Sequence, residues 1–189
     1  MKKTLYISFI SLVVLTLNSC ATAPSKHIPE HFSAKESHGL VIGTIAIKDE
    51  RPRFNGYFLY YSEEGKENVN LDRMIAIQPE QIIKMKFKPD FFDEGKAVYY
   101  YAIEMAPGRH SFTMMRLFEN GGQFQSNERI PIDVPFTSVS GKITYVGQLE
   151  LDYRDDRRIK LIDKSERDLP TLKKKYPNID WNRLINDKQ

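Results

Sequence analysis

The side chains able to do chemistry are few in this chain of 189 residues. There is one thiol, Cys20, and there are four imidazoles, His27, His31, His38 and His110. A thiol can act as a nucleophile, be oxidised, or carry a covalently attached group. A histidine serves as general base only within hydrogen-bond reach of its nucleophile. His110 is followed by Ser111, but neighbours on a strand point to opposite faces, so the two do not form a base–nucleophile pair. The chain has no G-x-S-x-G turn that would raise a serine nucleophile above a sheet. Carboxylates gather at Asp90, Asp93 and Glu94, and again at Asp152, Asp155 and Asp156. Paired acids held at the right separation can hydrolyse a glycosidic bond, and an oxygen-rich loop can hold calcium. Neither cluster has EF-hand spacing, and the second is interleaved with Arg154, Arg157 and Arg158. Both fall where the chain turns, so solvated turns are the expectation.

The remaining candidates read in the same way. His27, His31 and His38 with Glu30 are metal-ligating types, but they sit in a stretch with no element to fix their geometry. Ser140-Gly141-Lys142 lacks the upstream glycine of a phosphate-binding loop. Lys173-Lys174-Lys175 reads as the wet face of a helix. Tyr99-Tyr100-Tyr101 and the aromatics between Phe54 and Tyr61 can in principle stack a sugar, and strand aromatics of this kind read as core or cross-strand packing. The residues therefore predict no catalytic group, no cofactor and no metal.

Cys20 differs from the rest because of what precedes it. Lys2 and Lys3 are followed by an apolar run over residues 5–17. That length suits the core of a signal peptide, about 7–15 residues, and falls short of the roughly 20 a membrane-spanning helix needs. Leu17-Asn18-Ser19-Cys20 then resembles a bacterial lipobox. The resemblance implies a diacylglycerol on the Cys20 thiol, cleavage before it, and acylation of the new amino terminus. Two or three acyl chains hold a protein stably where one does not. Residue 21 is alanine and not the aspartate that resembles an inner-membrane retention signal. The expectation is thus an outer-membrane anchor facing the periplasm. Setting Lys2 and Lys3 aside from the 28 basic residues leaves 26 against 25 acidic ones, which is near neutral. Such a balance gives no electrostatic reason to bind nucleic acid.

The elements that follow must carry whatever function there is. Residues 20–38 hold Cys20, two prolines and small polar residues, the composition of a tether reaching on the order of 25 Å. From Gly39 the pattern is β. Strands are expected over Leu40–Ile47, Phe54–Tyr61, Ile75–Phe87, Ala97–Met105, Arg109–Phe118, Ile130–Phe136, Lys142–Leu151 and Arg158–Ile162. Pro107-Gly108, Asn120-Gly121-Gly122 and Ser140-Gly141 are turn signals. Pro131 and Pro135 suggest an edge strand or a bulge, and Gly147 a bulge or a close backbone approach. Alternation places Ala97, Tyr99, Tyr101, Ile103 and Met105 on one face. It also groups Phe112, Met114 and Phe118, and Ile143, Tyr145, Leu149 and Leu151. Ser165-Glu166-Arg167-Asp168 resembles a capping box opening a helix to Lys175, with Pro170 allowing a start at Asp168 instead. A last short helix is expected over Asp180–Ile185, docked by Trp181 and Leu184. The fold class is mainly β: an antiparallel β-sandwich of about seven or eight strands, with one or two short C-terminal helices, over residues 39–189.

Pro107-Gly108-Arg109-His110-Ser111-Phe112 and Gly141-Lys142-Ile143-Thr144-Tyr145-Val146-Gly147, with Lys175-Tyr176-Pro177, resemble motifs of a family of uncharacterised bacterial lipoproteins. These are similar in outline to carboxypeptidase-regulatory-like or transthyretin-like sandwiches. The resemblance spans roughly residues 39–177 and implies fold and location, with no catalytic residue carried over. The expected function is a non-catalytic binding or assembly module of an envelope complex, held to membrane lipid through acylated Cys20 and meeting a periplasmic protein partner. An envelope hydrolase acting on glycan or peptide, and a plain structural lipoprotein, are the alternatives.

Overall fold

Turn glycines at the expected places divide the chain into strands. Gly108, Gly141 and Gly147 all have positive φ, at 144°, 65° and 117°, a region that costs other residues strain. The computed structural model describes residues 28–29, 31–32, 37–48, 53–65, 73–77, 88–121, 124–152 and 158–186. Residues 1–19, Cys20, most of the tether, residues 78–87 of the expected strand at Ile75–Phe87, and Asp155 and Asp156 lie outside them.

The strands are β1 (Gly39–Lys48), β2 (Gly56–Glu63), β3 (Met74–Ile77), β4 (Phe91–Asp93), β5 (Lys96–Met105), β6 (Gly108–Asn120), β7 (Gln125–Ser138), β8 (Ile143–Asp152), β9 (Arg158–Ile162) and β10 (Leu184–Asn186). One helix, α1 (Ser165–Lys175), and a 3-10 turn at Trp181–Arg183 precede β10. Among the described residues these form two sheets. The first runs β10-β8-β1-β5-β4, with β9 also on β8, and the second runs β3-β2-β6-β7. The fold is a mainly β sandwich, as expected. Most ladders are antiparallel, while β1–β8 and β10–β8 are parallel.

The two sheets meet over one core. Val41, Ile45, Tyr99, Tyr101 and Ile103 from the first sheet face Tyr57, Leu59, Phe112, Met115, Leu117 and Phe136 from the second. The first sheet also buries its other face. Leu40, Ile42, Tyr100, Ala102, Ile143 and Tyr145 lie under Leu172 of α1, Ile179, Trp181, Ile28 and Phe32. Ile28 and Phe32 belong to the stretch whose composition reads as a tether, yet both are buried here. Burial on both faces explains why β1 reads as a nearly continuous apolar run rather than an alternating one. Fully burying each such side chain contributes about 1.5–3 kcal/mol before entropy is counted.

Two bulges reassign faces. Ala97, Tyr99, Tyr101, Ile103 and Met105 share the inner core as alternation predicts. In β8 the register shifts opposite Ile42/Gly43, so that Tyr145 pairs with Ile42 and Gly147 with Gly43. Ile143 and Tyr145 therefore face the α1 side, while Leu149 and Leu151 enter the inner core. In β6 the shift lies between Phe112 and Met114. Phe112 stays inward with Met115 and Leu117, and Met114 and Phe118 fall outside that core. One extra residue inverts everything after it, because the side-chain period of a strand is two. β7, with Pro131 and Pro135, is one of the two edges of the second sheet among the described residues and lies across the β6 bulge.

The C-terminal segment departs from expectation. Helix α1 starts at Ser165 and keeps Pro170 inside. Its opening N–H, at Ser165, donates to Asp163 Oδ1 (2.8 Å), and no side chain caps it at Lys164. The expected helix over Asp180–Ile185 is instead the 3-10 turn followed by β10. A helix that short closes too few hydrogen bonds to offset its nucleation, whereas the open edge of β8 offers partners for the backbone.

Candidate functional site

Two groups of polar side chains among the described residues combine burial or a cavity with several polar partners. The first lies between α1 and the outer face of the first sheet. Asp168, fully buried, accepts from Tyr145 Oη (2.7 Å) and Thr44 Oγ1 (3.1 Å) on Oδ2. Arg167 donates to its Oδ1 (2.7 Å) and to Gln148 Oε1 (2.7 Å), and pairs with Asp93. The guanidinium lies over the Phe91 ring, 4.9 Å from its centroid. Burial works to lower the Arg167 pKa, but the bonds to Asp168 and Asp93 outweigh it and the net shift is upward. Burial, and then the bond to Asp168, push the Tyr145 hydroxyl far up. The carboxylate's oxygens are thus spent on donors from β1, β8 and α1, which makes it a clamp.

Asp90 and Asp93 of the first acid cluster belong to this clamp and not to a solvated turn, whereas Glu94 is exposed in the turn after β4, as expected. Asp93 is shared by Arg167 and Lys164 (3.7 Å) at one end of α1. Asp90 accepts from the Tyr100 backbone N–H (2.9 Å) and from Lys175 Nζ (2.9 Å) at the other. The bond to Asp90 raises the Lys175 pKa. Lys173 and Lys174 stay exposed, as a wet helix face requires. Asp152 of the second cluster pairs with Lys48. Sequence reasoning saw Asp168 only as part of a capping box. The usable signal was an acid, on a helix start, one residue before an apolar position.

The second place is an open cavity of about 420 Å³ at the rim of the second sheet, where the end of β2 meets β6 and β7. Glu63, Glu64, Arg109, His110, Ser111 and Asp133 are among its lining residues. His110 is buried and stacks on Phe136, with centroids 5.8 Å apart and planes 19° apart. Its Nε2 lies 3.0 Å from the Ala106 carbonyl oxygen. A carbonyl only accepts, so Nε2 carries the proton of this bond. Ser111 Oγ donates to Asp133 Oδ1 (2.8 Å), not to the imidazole. A base–nucleophile bond between His110 and Ser111 is not formed, in line with their opposite orientation on the strand.

The other candidates are dispersed. His31 and His38 are exposed, and His38 Nδ1 lies 3.0 Å from Ser37 Oγ. His27, Glu30 and Cys20 fall outside the described residues. Among the described residues no group of three or more His, Cys, Asp or Glu side chains is gathered as for a metal, and no helix is long and apolar enough to cross a membrane. The Tyr99–Tyr101 run is core on both faces of β5, with no exposed platform.

Those tyrosines predict an alkaline limit to stability. Burial, then the Asp90 charge, pushes Tyr99 up to about 12 from 10.0. Burial, then the Asp168 charge, does the same for Tyr100. Tyr101 and Tyr145 are pushed further in the same direction. A folded pKa above the unfolded one gives stability that is whole below pH 10 and is lost as pH climbs toward the folded value. The expected result is a urea midpoint that falls steeply between about pH 10 and 12, with tyrosinate absorbance from these residues appearing together with unfolding. Ionisation of all ten tyrosines near pH 10 with the fold intact is the contrary result.

No known protein family matches the chain, and no curated protein matches it. Among solved structures, a leucine-rich repeat protein from Bacteroides thetaiotaomicron is similar over 62% of this chain and 14% of its own length, at 15% identity and a TM-score of 0.35.

Proposed function

We propose that this chain is an outer-membrane lipoprotein, anchored through acylated Cys20, whose β-sandwich faces the periplasm as a non-catalytic binding or assembly module of the cell envelope. The observation that carries this reading is the fate of the polar groups. Asp168, Arg167, Asp93 and Asp90 are spent holding α1 to the sheet. Ser111 is bonded to Asp133, and His110 Nε2 to a carbonyl. Such groups make a rigid scaffold that presents its rims. The leader and the Leu17-Asn18-Ser19-Cys20 sequence support the anchor.

The anchor is tested with Cys20→Ala. Metabolic labelling with a fatty acid should mark the parent chain and not the variant, and the variant should leave the outer-membrane fraction or keep its leader. A variant that is still acylated and sediments with outer membranes overturns the assignment. Affinity capture from detergent-solubilised envelopes addresses the module, and a reproducible stoichiometric protein partner is the expected result.

A further inference from the structure

The stretch between Cys20 and β1 is shorter as a tether than its composition predicts. Ile28 and Phe32 are buried, at 6% and 2% exposure. Both belong to the apolar cluster on the outer face of the first sheet, with Leu40, Ile42, Tyr145 and Leu172. A segment with two buried apolar anchors is part of the folded body, so only residues 21–27 separate Cys20 from it. A trans chain spans at most about 3.3–3.6 Å per residue, which puts Cys20 within about 29 Å of Ile28 even at full stretch. Counted to Gly39 instead, the same bound would be about 65 Å. A body of about 150 residues is roughly 35–40 Å across. The longer tether would let any side of it meet the bilayer, whereas the shorter one keeps the side carrying Ile28 nearest.

That side is the one α1 covers, since Leu172 of α1 belongs to the same cluster. The second sheet lies across the inner core, on the opposite face of the first. The α1 side also carries charge of the sign a phospholipid surface attracts. Lys173 and Lys174 are exposed in the last turn of α1, and residues 169–179 include no acid. Lysines within about 10 Å of an anionic leaflet add to binding, and their effect fades beyond that distance. We propose that the α1 side of the sandwich lies against the bilayer. The short tether and the contact of Lys173 and Lys174 with anionic phospholipid headgroups hold it there, and the second sheet faces away from the membrane. The proposal deepens the lipoprotein reading and rests on it for the anchor.

The test uses the full acylated chain, its acyl mass checked first, in phosphatidylcholine vesicles that contain phosphatidylglycerol. A fluorophore is placed on Asn178→Cys, exposed just after α1, or on Ser126→Cys, exposed on β7 of the second sheet. The acylated sulfur of Cys20 does not compete for the dye. A nitroxide on the lipid headgroup should quench the Asn178 site about twofold or more over the Ser126 site, because stacked sheets alone add about 10 Å. Inserting about ten Gly and Ser residues after Ala23, together with Lys173→Gln and Lys174→Gln, should bring the two sites to equal quenching. Equal quenching in the parent, or a difference that survives in this combined variant, overturns the proposal. Docking of the segment is read separately. Phe32→Ala should melt about 5 °C or more below the parent, and a melt at the parent temperature also overturns the proposal. A chain without the acyl mass ends the anchor and this inference together. An acylated chain with equal quenching ends this inference alone.

Discussion

Replacing Asp168 by alanine is expected to cost about 3–5 kcal/mol of folding stability, the range for removing one partner of a buried charge pair. The side chain is fully buried. Its loss leaves the Tyr145 and Thr44 hydroxyls without their acceptor, each an unsatisfied group worth about 1–3 kcal/mol. Arg167 keeps Asp93 and Gln148, which limits the damage on that side. Asp168→Asn, with the same shape and one acceptor oxygen, should cost less than the alanine variant. Tyr145→Phe should cost about 1 kcal/mol, since it removes a donor along with its need for a partner. Urea denaturation of the parent and the three variants measures this order. Hydrogen exchange adds a local readout: α1, which the clamp holds to the first sheet, should lose protection before β2 and β6. An Asp168→Ala variant within about 1 kcal/mol of the parent would show that the network contributes no more than an ordinary surface pair.

Gly147→Ala carries the second large effect, expected at about 2–5 kcal/mol from two additive causes. At φ 117° the backbone lies where an L side chain is strained. A Cβ there would also sit 2.9 Å from the Ile162 carbonyl oxygen, an atom of β9's own backbone that cannot rotate aside. Gly65→Ala separates the two causes. Gly65 has φ 79° with nothing within 4 Å of the added carbon, so that variant reports strain alone, about 1–3 kcal/mol at most. Gly43 faces Gly147 across the β1–β8 ladder. A Cβ on Gly43 would lie 2.5 Å from Tyr101 Oη and 2.6 Å from the Gly147 carbonyl oxygen. The two glycines therefore let the bulged strands approach while a tyrosine lies across them. Thermal melts of the two single variants are the measurement, and Gly147→Ala melting with Gly65→Ala would remove the close approach from the account.

Much of this architecture is local and therefore legible in the residues alone. Alternation along β5, the turn glycines at 108 and 141, the edge character of a strand with Pro131 and Pro135, and the unusual glycine at 147 each depend on a few neighbours. The expectation of a leader cut before Cys20 is likewise a matter of residue order, with no fold required to form it. Other features needed the whole chain. Which face Leu149 or Met115 takes depends on bulges whose partners lie on other strands, and a pattern of period two carries no mark of the inserted residue. The second core exists only because α1, Ile179, Ile28 and Phe32 cover a sheet face from both ends of the described chain. Asp168 meets Thr44 across 124 positions and Tyr145 across 23, so a buried clamp looks in sequence like an ordinary charged helix start. The rim cavity is hidden for the same reason, since Glu63, His110 and Asp133 come from three strands that pairing alone brings together. Composition and spacing report what a residue can do, and burial decides which of those things it does. Burial is a property of contacts between distant segments.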